Sequence, residues 1–506
     1  MTDHTIRELL NHAAEKFSGR DVIRYKEGKG NIEVKTYRQL KEDSESFSNV
    51  LKALGEQGSH IAVTGMSSYT WITTYLGTVC SGGVAVPLDV SLPAQEMCEL
   101  IDRADVTVFV ADELRKDVIA VAKQQCPKLK YVISMQGSIK EDQKGNEILS
   151  FAQLMERHAG VFDCWIDPES LCTIMFTSGT TGKSKGVMLS HRNLAENATC
   201  MDMRIPDGTV ILSVLPIHHA YCLSMDFLKG ISLGSTICLN DSLLHVAKNI
   251  KLFHPDMILM VPLMIETLAK KLEDAKGLPP EAVKNEVFGG NLHTICSGGA
   301  YLKPELIELF QKFGITILQG YGMTECAPVI SSNVSWDIRP DTVGRLMPNC
   351  EAKTVDGEIW VRGTSVMQGY YHMPKETEET LVDGWLRTGD LGFVDEDNYV
   401  HLTGRLKNLI ITPNGENVSP EELENKLGES RLVKEVIVRE ADTVIEAEIF
   451  PDLEYMEKQG IQDVQGALQE LIDDYNKEAV AYKKIYRLKV RETEFDKTPS
   501  KKIKRY

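Results

Sequence analysis

Between two apolar runs the chain reads Thr177, Ser178, Gly179, Thr180, Thr181, Gly182, Lys183, Ser184, Lys185, Gly186. Glycines let successive backbone N–H groups converge on one anion, hydroxyls add donors, and the two lysines add charge. Together they are what binding a polyphosphate requires. The rival is the Walker loop of kinases and ATPases, Gly-x-x-x-x-Gly-Lys-Ser/Thr. Counting back from Gly182 puts Thr177 where its first glycine belongs, and "GVMLS" after the loop reads as a strand where that motif opens a helix. A functionless surface loop is a poor account, because polar loops rarely stack this many phosphate-type donors between two buried strands.

Charge is concentrated again at the end of the chain. The last nine residues, "TPSKKIKRY", hold four lysines or arginines and no acid, on a protein whose formal net charge is −17. From Lys483 to Arg505 there are ten bases against three acids. Overall acidity argues against nucleic acid as the main partner. A local basic segment on such a chain instead points to an anionic ligand.

These residues must be carried by a large framework. A chain of 506 residues with 42% hydrophobic content exceeds one compact domain. "DVIRYKEGKGNIEVKTY" reads as a strand pair; "HIAVTGM", "VAVPL" and "VTVFVAD" read as strands alternating with helices "YTWITTYLGTVCSGG" and "AQEMCELIDRAD". The rhythm resumes from residue 200 to 320 with "GTVILSVLP", "MILMVP", "LHTICSG" and "ITILQGYG", which argues for parallel sheets covered by helices. From Thr342 to Thr403 short glycine-rich strands take over. The last hundred residues read as a separate α+β unit, with a capping box of Ser419 and Glu422 opening the helix "SPEELENKL". The expected domains are 1–403 and 404–506.

The first residues, "MTDHTIRELLNHAAEKF", lack the pattern of a secretory signal, and no apolar run reaches the ~20 residues needed to cross a bilayer. The 11 cysteines are scattered without a C-x-x-C pair or metal spacing, as expected of a reducing compartment. A cytoplasmic location is expected.

The loop "TSGTTGKSKG" resembles the phosphate loop of the adenylate-forming (AMP-binding) superfamily, which includes acyl-CoA synthetases, firefly luciferase and peptide-synthetase adenylation domains. Further family motifs follow in order: "LPIHHAY", "CSGGA", "QGYGMTE", "GEIWVRG", "WLRTGD", "GRLKNLI" and "TPSKKIKR". The resemblance implies an α/β fold: a large N-terminal domain of helix-covered sheets with a small distorted β-barrel, then a small mobile C-terminal domain. It implies a reaction in which a carboxylate attacks the α-phosphate of ATP, pyrophosphate leaves, and a thiol displaces AMP from the acyl adenylate.

Site residues carry over motif by motif. Thr177, Ser178, Gly179, Thr180, Thr181, Gly182, Lys183 and Lys185 would hold the β- and γ-phosphates. Within Gln319, Gly320, Tyr321, Gly322, Met323 and Thr324, Tyr321 would stack on adenine and Thr324 would donate to the α-phosphate. Glu325, with Thr177, would hold Mg²⁺, a hard cation that prefers oxygen ligands. Gly298, Gly299 and Ala300 would line the adenine and acyl sites. Asp390 would accept from the ribose hydroxyls with Arg405 beside it, although alone it reads as an Asx-turn former. His219 would lie between acyl pocket and phosphates; its neighbour His218 is the competing assignment, and the spacing from Leu215 and Pro216 favours His219. Lys407 matches the hinge on which the small domain swings, Gly415 the thiol tunnel, and Lys502 the catalytic lysine that acts only during adenylation. The departures are Ser184, where the loop usually has proline, and Lys501, where the closing motif usually has glycine.

"FGGNLHTICSGGAYLKPELIELFQKFGITILQGYGMTECAP" looks closest to the long- or medium-chain fatty acid CoA ligase branch, and aliphatic and sulfur-bearing residues around 215–239 and 257–268 fit an apolar acyl pocket. The expected ligands are ATP, Mg²⁺, a carboxylic acid and coenzyme A. Competing readings are a ligase loading the phosphopantetheine of an acyl carrier protein, an aryl-CoA ligase, and a non-catalytic nucleotide-binding regulator.

Overall fold

The computed structural model describes residues 3–505 apart from 29, 178–182, 275, 276, 278, 413–415, 443 and 498–502, and the backbone but not the side chains of 273 and 274. Two large sheets form the bulk of the N-terminal region, one of nine strands and one of eight. Strands His60–Thr64, Val84–Leu88 and Val106–Ala111 lie parallel in the second, and their near-continuous apolar runs reflect helices covering both faces. Helices begin where the sequence satisfies their first N–H groups: Thr5 with Glu8, Thr36 with Gln39 and Ser190 with Asn193 each form reciprocal side-chain and backbone caps.

Four neighbouring parallel strands set up the functional region. Val210–Ser213 pairs with Met257–Met260, which pairs with Thr294–Ser297, which pairs with Thr316–Gly322. Each therefore ends on the same edge of the sheet. Immediately beyond the first three ends come Val214–Pro216, Val261 and Pro262, and Gly298–Ala300, while Gly320–Thr324 forms the end of the fourth strand and the residues just past it. Ligands in α/β folds gather at this carboxyl edge, where side chains and loop backbone project from a fixed framework.

In the other large sheet, Leu171–Thr177 and Lys185–Ser190 form an antiparallel hairpin with Thr177 opposite Lys185. The segment after the glycine and hydroxyl loop is thus a strand, as expected, and not the helix a Walker loop opens. Gly369 and Tyr370 add to the hairpin's outer edge opposite Met188 and Val187. A separate five-stranded antiparallel sheet spans Cys350–Val355, Glu358–Gly363, Leu381–Val382, Trp385–Val394 and Val400–Arg405. In it Asp390 sits opposite Arg405.

The chain then turns through Leu406–Asn408 into the C-terminal α+β unit, whose three-stranded sheet joins Val433–Ala441, Val444–Pro451 and Arg487–Val490. Its core is its own, built on Leu423, Leu427, Ile449, Leu468 and Ile472. One expectation fails here. Pro420 does occupy the first helical turn, but Ser419 makes no capping bond; its hydroxyl donates to Glu421 at 3.1 Å, while Glu422 accepts Lys483 at 2.6 Å. A cation from a distant segment outcompetes the local box.

Lys483 is one of several. Arg487 meets Asp442 at 3.0 Å, Lys489 and Arg491 meet Glu448 at 3.0 and 2.9 Å, and Arg505 pairs with Glu424. Much of the basic segment is therefore spent on acids of the same unit. Among the described residues, no helix is long and apolar enough to cross a membrane.

Candidate active site

The edge of the four parallel strands opens into a cavity of about 550 Å³. One part of its wall is polar or backbone: His219, Gly298–Ala300, Gly320–Gly322 and Thr324. Most of the rest is aliphatic or thioether, including Leu215, Met225, Met260, Met264 and Leu268, with Tyr221, Thr267, Lys271, Cys296 and Ser332 interspersed. The two apolar runs singled out in the sequence thus line one space. Pro262 separates the strand Met257–Met260 from the helix Pro262–Asp274, so both contribute.

Two glycines here stand against close neighbours. A Cβ on Gly322 would lie 1.9 Å from the Pro328 carbonyl oxygen, inside backbone that cannot yield. A Cβ on Gly298 would stand 3.0 Å from the Tyr221 ring, which with Gly298 forms part of the cavity wall.

The two histidines separate cleanly. His219 lines the cavity. His218 is turned toward Asp89, 3.7 Å away and beyond hydrogen bonding, and burial, with His219 alongside, pushes its pKa down to about 3. It is a neutral packing ring at neutral pH.

Tyr321 is buried and donates its hydroxyl to Asp390 Oδ2 at 2.7 Å. Arg405 Nε sits 2.8 Å from Asp390 Oδ1. Three residues taken from separate motifs therefore meet, with the Asp390 carboxylate as their shared acceptor and Arg405 half exposed beside it. Burial, then the charge of Asp390, holds the Tyr321 phenol far above its ordinary pKa, so it remains a donor.

A second convergence surrounds the loop hairpin. Tyr370 donates to Glu325 Oε1 at 2.8 Å, and Lys185 Nζ lies 4.6 Å from the centroid of the same ring. Tyr370 thus joins the lysine of the phosphate-type loop to the acid of "QGYGMTE". Sequence reading missed it, because both contacts cross to segments far away in the chain; the signal available was its place in "MQGYY". Arg103 was also missed. It donates to the Ser184 carbonyl at 2.8 Å, holding the turn where the family usually has proline.

Among the described residues no cluster of three or more His, Cys, Asp or Glu side chains could cage a metal alone. Glu325, which accepts from Tyr370, and Thr177, opposite Lys185 on the hairpin, offer oxygens of the kind Mg²⁺ takes, one or two from protein with phosphate and water completing the shell. Lys183 is exposed at the loop's end. Lys407 is exposed in the Leu406–Asn408 turn, and partial burial and Arg405 lower its pKa. Ser178, Gly179, Thr180, Thr181, Gly182, Gly415 and Lys502, with Lys501, lie outside the described residues.

The family model for AMP-binding enzymes matches residues 10–371, and that for the AMP-binding enzyme C-terminal domain matches 407–506. The chain belongs to the AMP-binding enzyme family. Among curated relatives, the long-chain-fatty-acid–CoA ligase FadD15 of Mycobacterium bovis is 29% identical over 462 residues, covering 80% of this chain and 75% of that protein. Among solved structures, ATP-bound MatB from Rhodopseudomonas palustris superposes with a TM-score of 0.82 at 25% identity, covering 99% of this chain and 97% of that one. The anthranilate CoA ligase AuaEII, in complex with anthranoyl-AMP, superposes with a TM-score of 0.84 at 21% identity, covering 99% and 95%, and shares the fold. The adenylate-forming fold and the acyl-CoA synthetase branch read from the motifs are those of this AMP-binding enzyme.

Proposed function

We propose that this AMP-binding enzyme activates a medium- or long-chain fatty acid as its acyl adenylate, releasing pyrophosphate, and passes the acyl group to coenzyme A. The cavity is the observation that carries this reading: a mainly aliphatic space of about 550 Å³ that meets His219, Thr324 and the glycine strands at one side. An apolar chain of that kind would be desolvated while its carboxylate stays at the polar wall.

The chemistry brings two anions together, so orientation and positive charge carry most of the catalysis. Lys185, steadied over Tyr370, would hold the outer phosphates with Lys183 and the loop N–H groups. Thr324 would donate to the α-phosphate. Asp390 would exchange its present donors for the ribose hydroxyls, leaving Tyr321 free to face the adenine. Glu325 would hold Mg²⁺, which supplies charge neutralisation at the phosphates. His219 would orient the carboxylate, and Lys502 would neutralise charge at the α-phosphate. Bond formation between a carboxylate oxygen and that phosphorus, with departure of pyrophosphate, needs no side-chain nucleophile. Lys407 and Gly415 would then serve the second step as hinge and thiol passage.

Incubating the enzyme with ATP, coenzyme A and fatty acids of graded length, then separating products by mass, tests the reading. AMP, pyrophosphate and acyl-CoA in equal amounts are expected. Thioester formed only on a phosphopantetheinylated carrier protein would replace the acceptor, and activity confined to aryl acids would replace the substrate.

A further inference from the structure

Lys183 and Lys185, the two cations of the phosphate-type loop, stand on either side of Ser184, with glycines flanking them at 182 and 186. A proline at 184 would lock its own φ and press Lys183 toward extended backbone. Serine imposes neither constraint. A segment with glycine at both ends therefore needs another way to hold its lysines in one place.

Arg103 makes its contact at that point. It closes the helix Ala94–Arg103, and its Nη2 donates to the Ser184 carbonyl oxygen at 2.8 Å. Among the described residues it donates to no carboxylate: its guanidinium carbon lies 5.6 Å from the centroid of the Phe176 ring, on the strand leading into the loop, and Nη2 stands 4.0 Å from Met373 Sδ. A guanidinium is usually drawn to an acid. Here its charge is directed to a main-chain oxygen, and the planar fork is steadied by the ring beside it.

The same corner of the chain holds the other side of Lys185. Two residues after Arg103, Asp105 accepts from the Tyr371 hydroxyl at 2.6 Å, and His372 Nε2 lies 2.8 Å from the same carboxylate oxygen. The Tyr371 N–H donates to the Gly186 carbonyl at 2.7 Å. The carbonyls before and after Lys185 are thus tied, one to Arg103 and the other through Tyr371 to Asp105. Among the described residues the Ser184 N–H donates to nothing, so a proline at 184 would break no bond there.

Resting on the adenylating function above, we propose that Arg103 is a positioning residue for the phosphate loop. Its bond to the Ser184 carbonyl does from outside what a proline ring at 184 would do within the chain, and keeps Lys183 and Lys185 aimed at the outer phosphates of ATP. Arg103 acts through the loop and not on the substrate. Its contribution belongs to the first half-reaction alone, because the β- and γ-phosphates have left as pyrophosphate before the thiol step.

Adenylation is read by acid-dependent pyrophosphate exchange across an ATP titration, and the second step by thioester formation from preformed acyl adenylate. Loss of a charge-assisted hydrogen bond at a half-buried site predicts for Arg103→Met a kcat/KM for ATP about tenfold lower, with the second step within about twofold of wild type. In a Ser184→Pro background the same substitution should cost less than about threefold, since the ring then supplies the constraint. No loss, equal loss in both steps, an inactive Ser184→Pro enzyme, or the same cost in both backgrounds overturns the proposal. Should Arg103→Met fail to fold, Arg103→Gln, whose shorter side chain stops before the carbonyl, is read against the same outcomes. If the wild type supports no exchange with any acid, the adenylation reading fails by itself. Calorimetric titration with ATP then decides the role of Arg103, about tenfold weaker binding in Arg103→Met supporting it and equal binding overturning it.

Discussion

Tyr370→Phe isolates one hydrogen bond at the centre of the proposed phosphate and metal site. The phenol reaches Glu325 Oε1 at 2.8 Å, while its ring lies 4.6 Å below Lys185 Nζ. Phenylalanine keeps the ring and removes only the hydroxyl. A hydrogen bond to a charged group is worth about 1.5–3 kcal/mol. Glu325 is only partly buried, so the lower half of that range applies, or roughly a 10- to 40-fold loss at 1.4 kcal/mol per decade. The loss should fall on the metal–nucleotide step: acid-dependent pyrophosphate exchange assayed across a Mg²⁺ titration should need more Mg²⁺ for half-maximal rate and recover at saturation. Tyr370→Leu removes the ring as well and should cost a further 2- to 30-fold, from about 0.5–2 kcal/mol of cation–π attraction, which extra Mg²⁺ does not restore. Wild-type Mg²⁺ dependence in Tyr370→Phe, or equal loss in both variants, would refute the proposed link between Lys185 and Glu325.

Three other perturbations follow from the geometry. Asp390→Ala should raise the KM for ATP at least about tenfold, since it removes the shared acceptor of Tyr321 and Arg405; an unchanged KM in steady-state assays would detach Asp390 from nucleotide binding. Gly322→Ala drives a methyl into the Pro328 carbonyl, 1.9 Å away, and should abolish exchange activity and lower the melting temperature, whereas wild-type values of both would contradict the packing. Asp226 is fully buried, and burial raises its pKa from 3.8 to about 7. Between those values the folded protein holds a proton the unfolded chain has released, so stability falls as pH rises through this window. Asp226→Asn should therefore gain stability relative to wild type more at pH 8 than at pH 4, and denaturant titrations showing an equal difference at both would reject the assignment.

Much of the fold was legible because its signals are local. Strand and helix alternation from His60 to Ala111 and from Val210 to Gly322 follows from apolar periodicity, and the hairpin after the phosphate-type loop from the pattern of "GVMLS". What escaped depends on long-range competition. Tyr370 acquires its place only when its strand joins the edge beside Val187, bringing it to Lys185 and Glu325. Ser419 and Glu422 carry the spacing of a capping box, yet Lys483, distant in sequence, takes the glutamate. The basic terminal segment read as a patch for anionic ligands, whereas Glu448, Asp442 and Glu424 bind much of it in place. His218 and His219 were separable only by spacing; in three dimensions one faces the cavity and the other Asp89.

The central claim is that this chain makes acyl adenylates. Exchange of labelled pyrophosphate into ATP, dependent on added carboxylic acid and measured with no thiol present, tests it most directly. Exchange with at least one aliphatic acid is expected, with strong loss of it in Lys502→Ala while that variant still converts preformed adenylate to thioester. Absence of exchange with every acid, or release of ADP and phosphate in place of AMP and pyrophosphate, would contradict it.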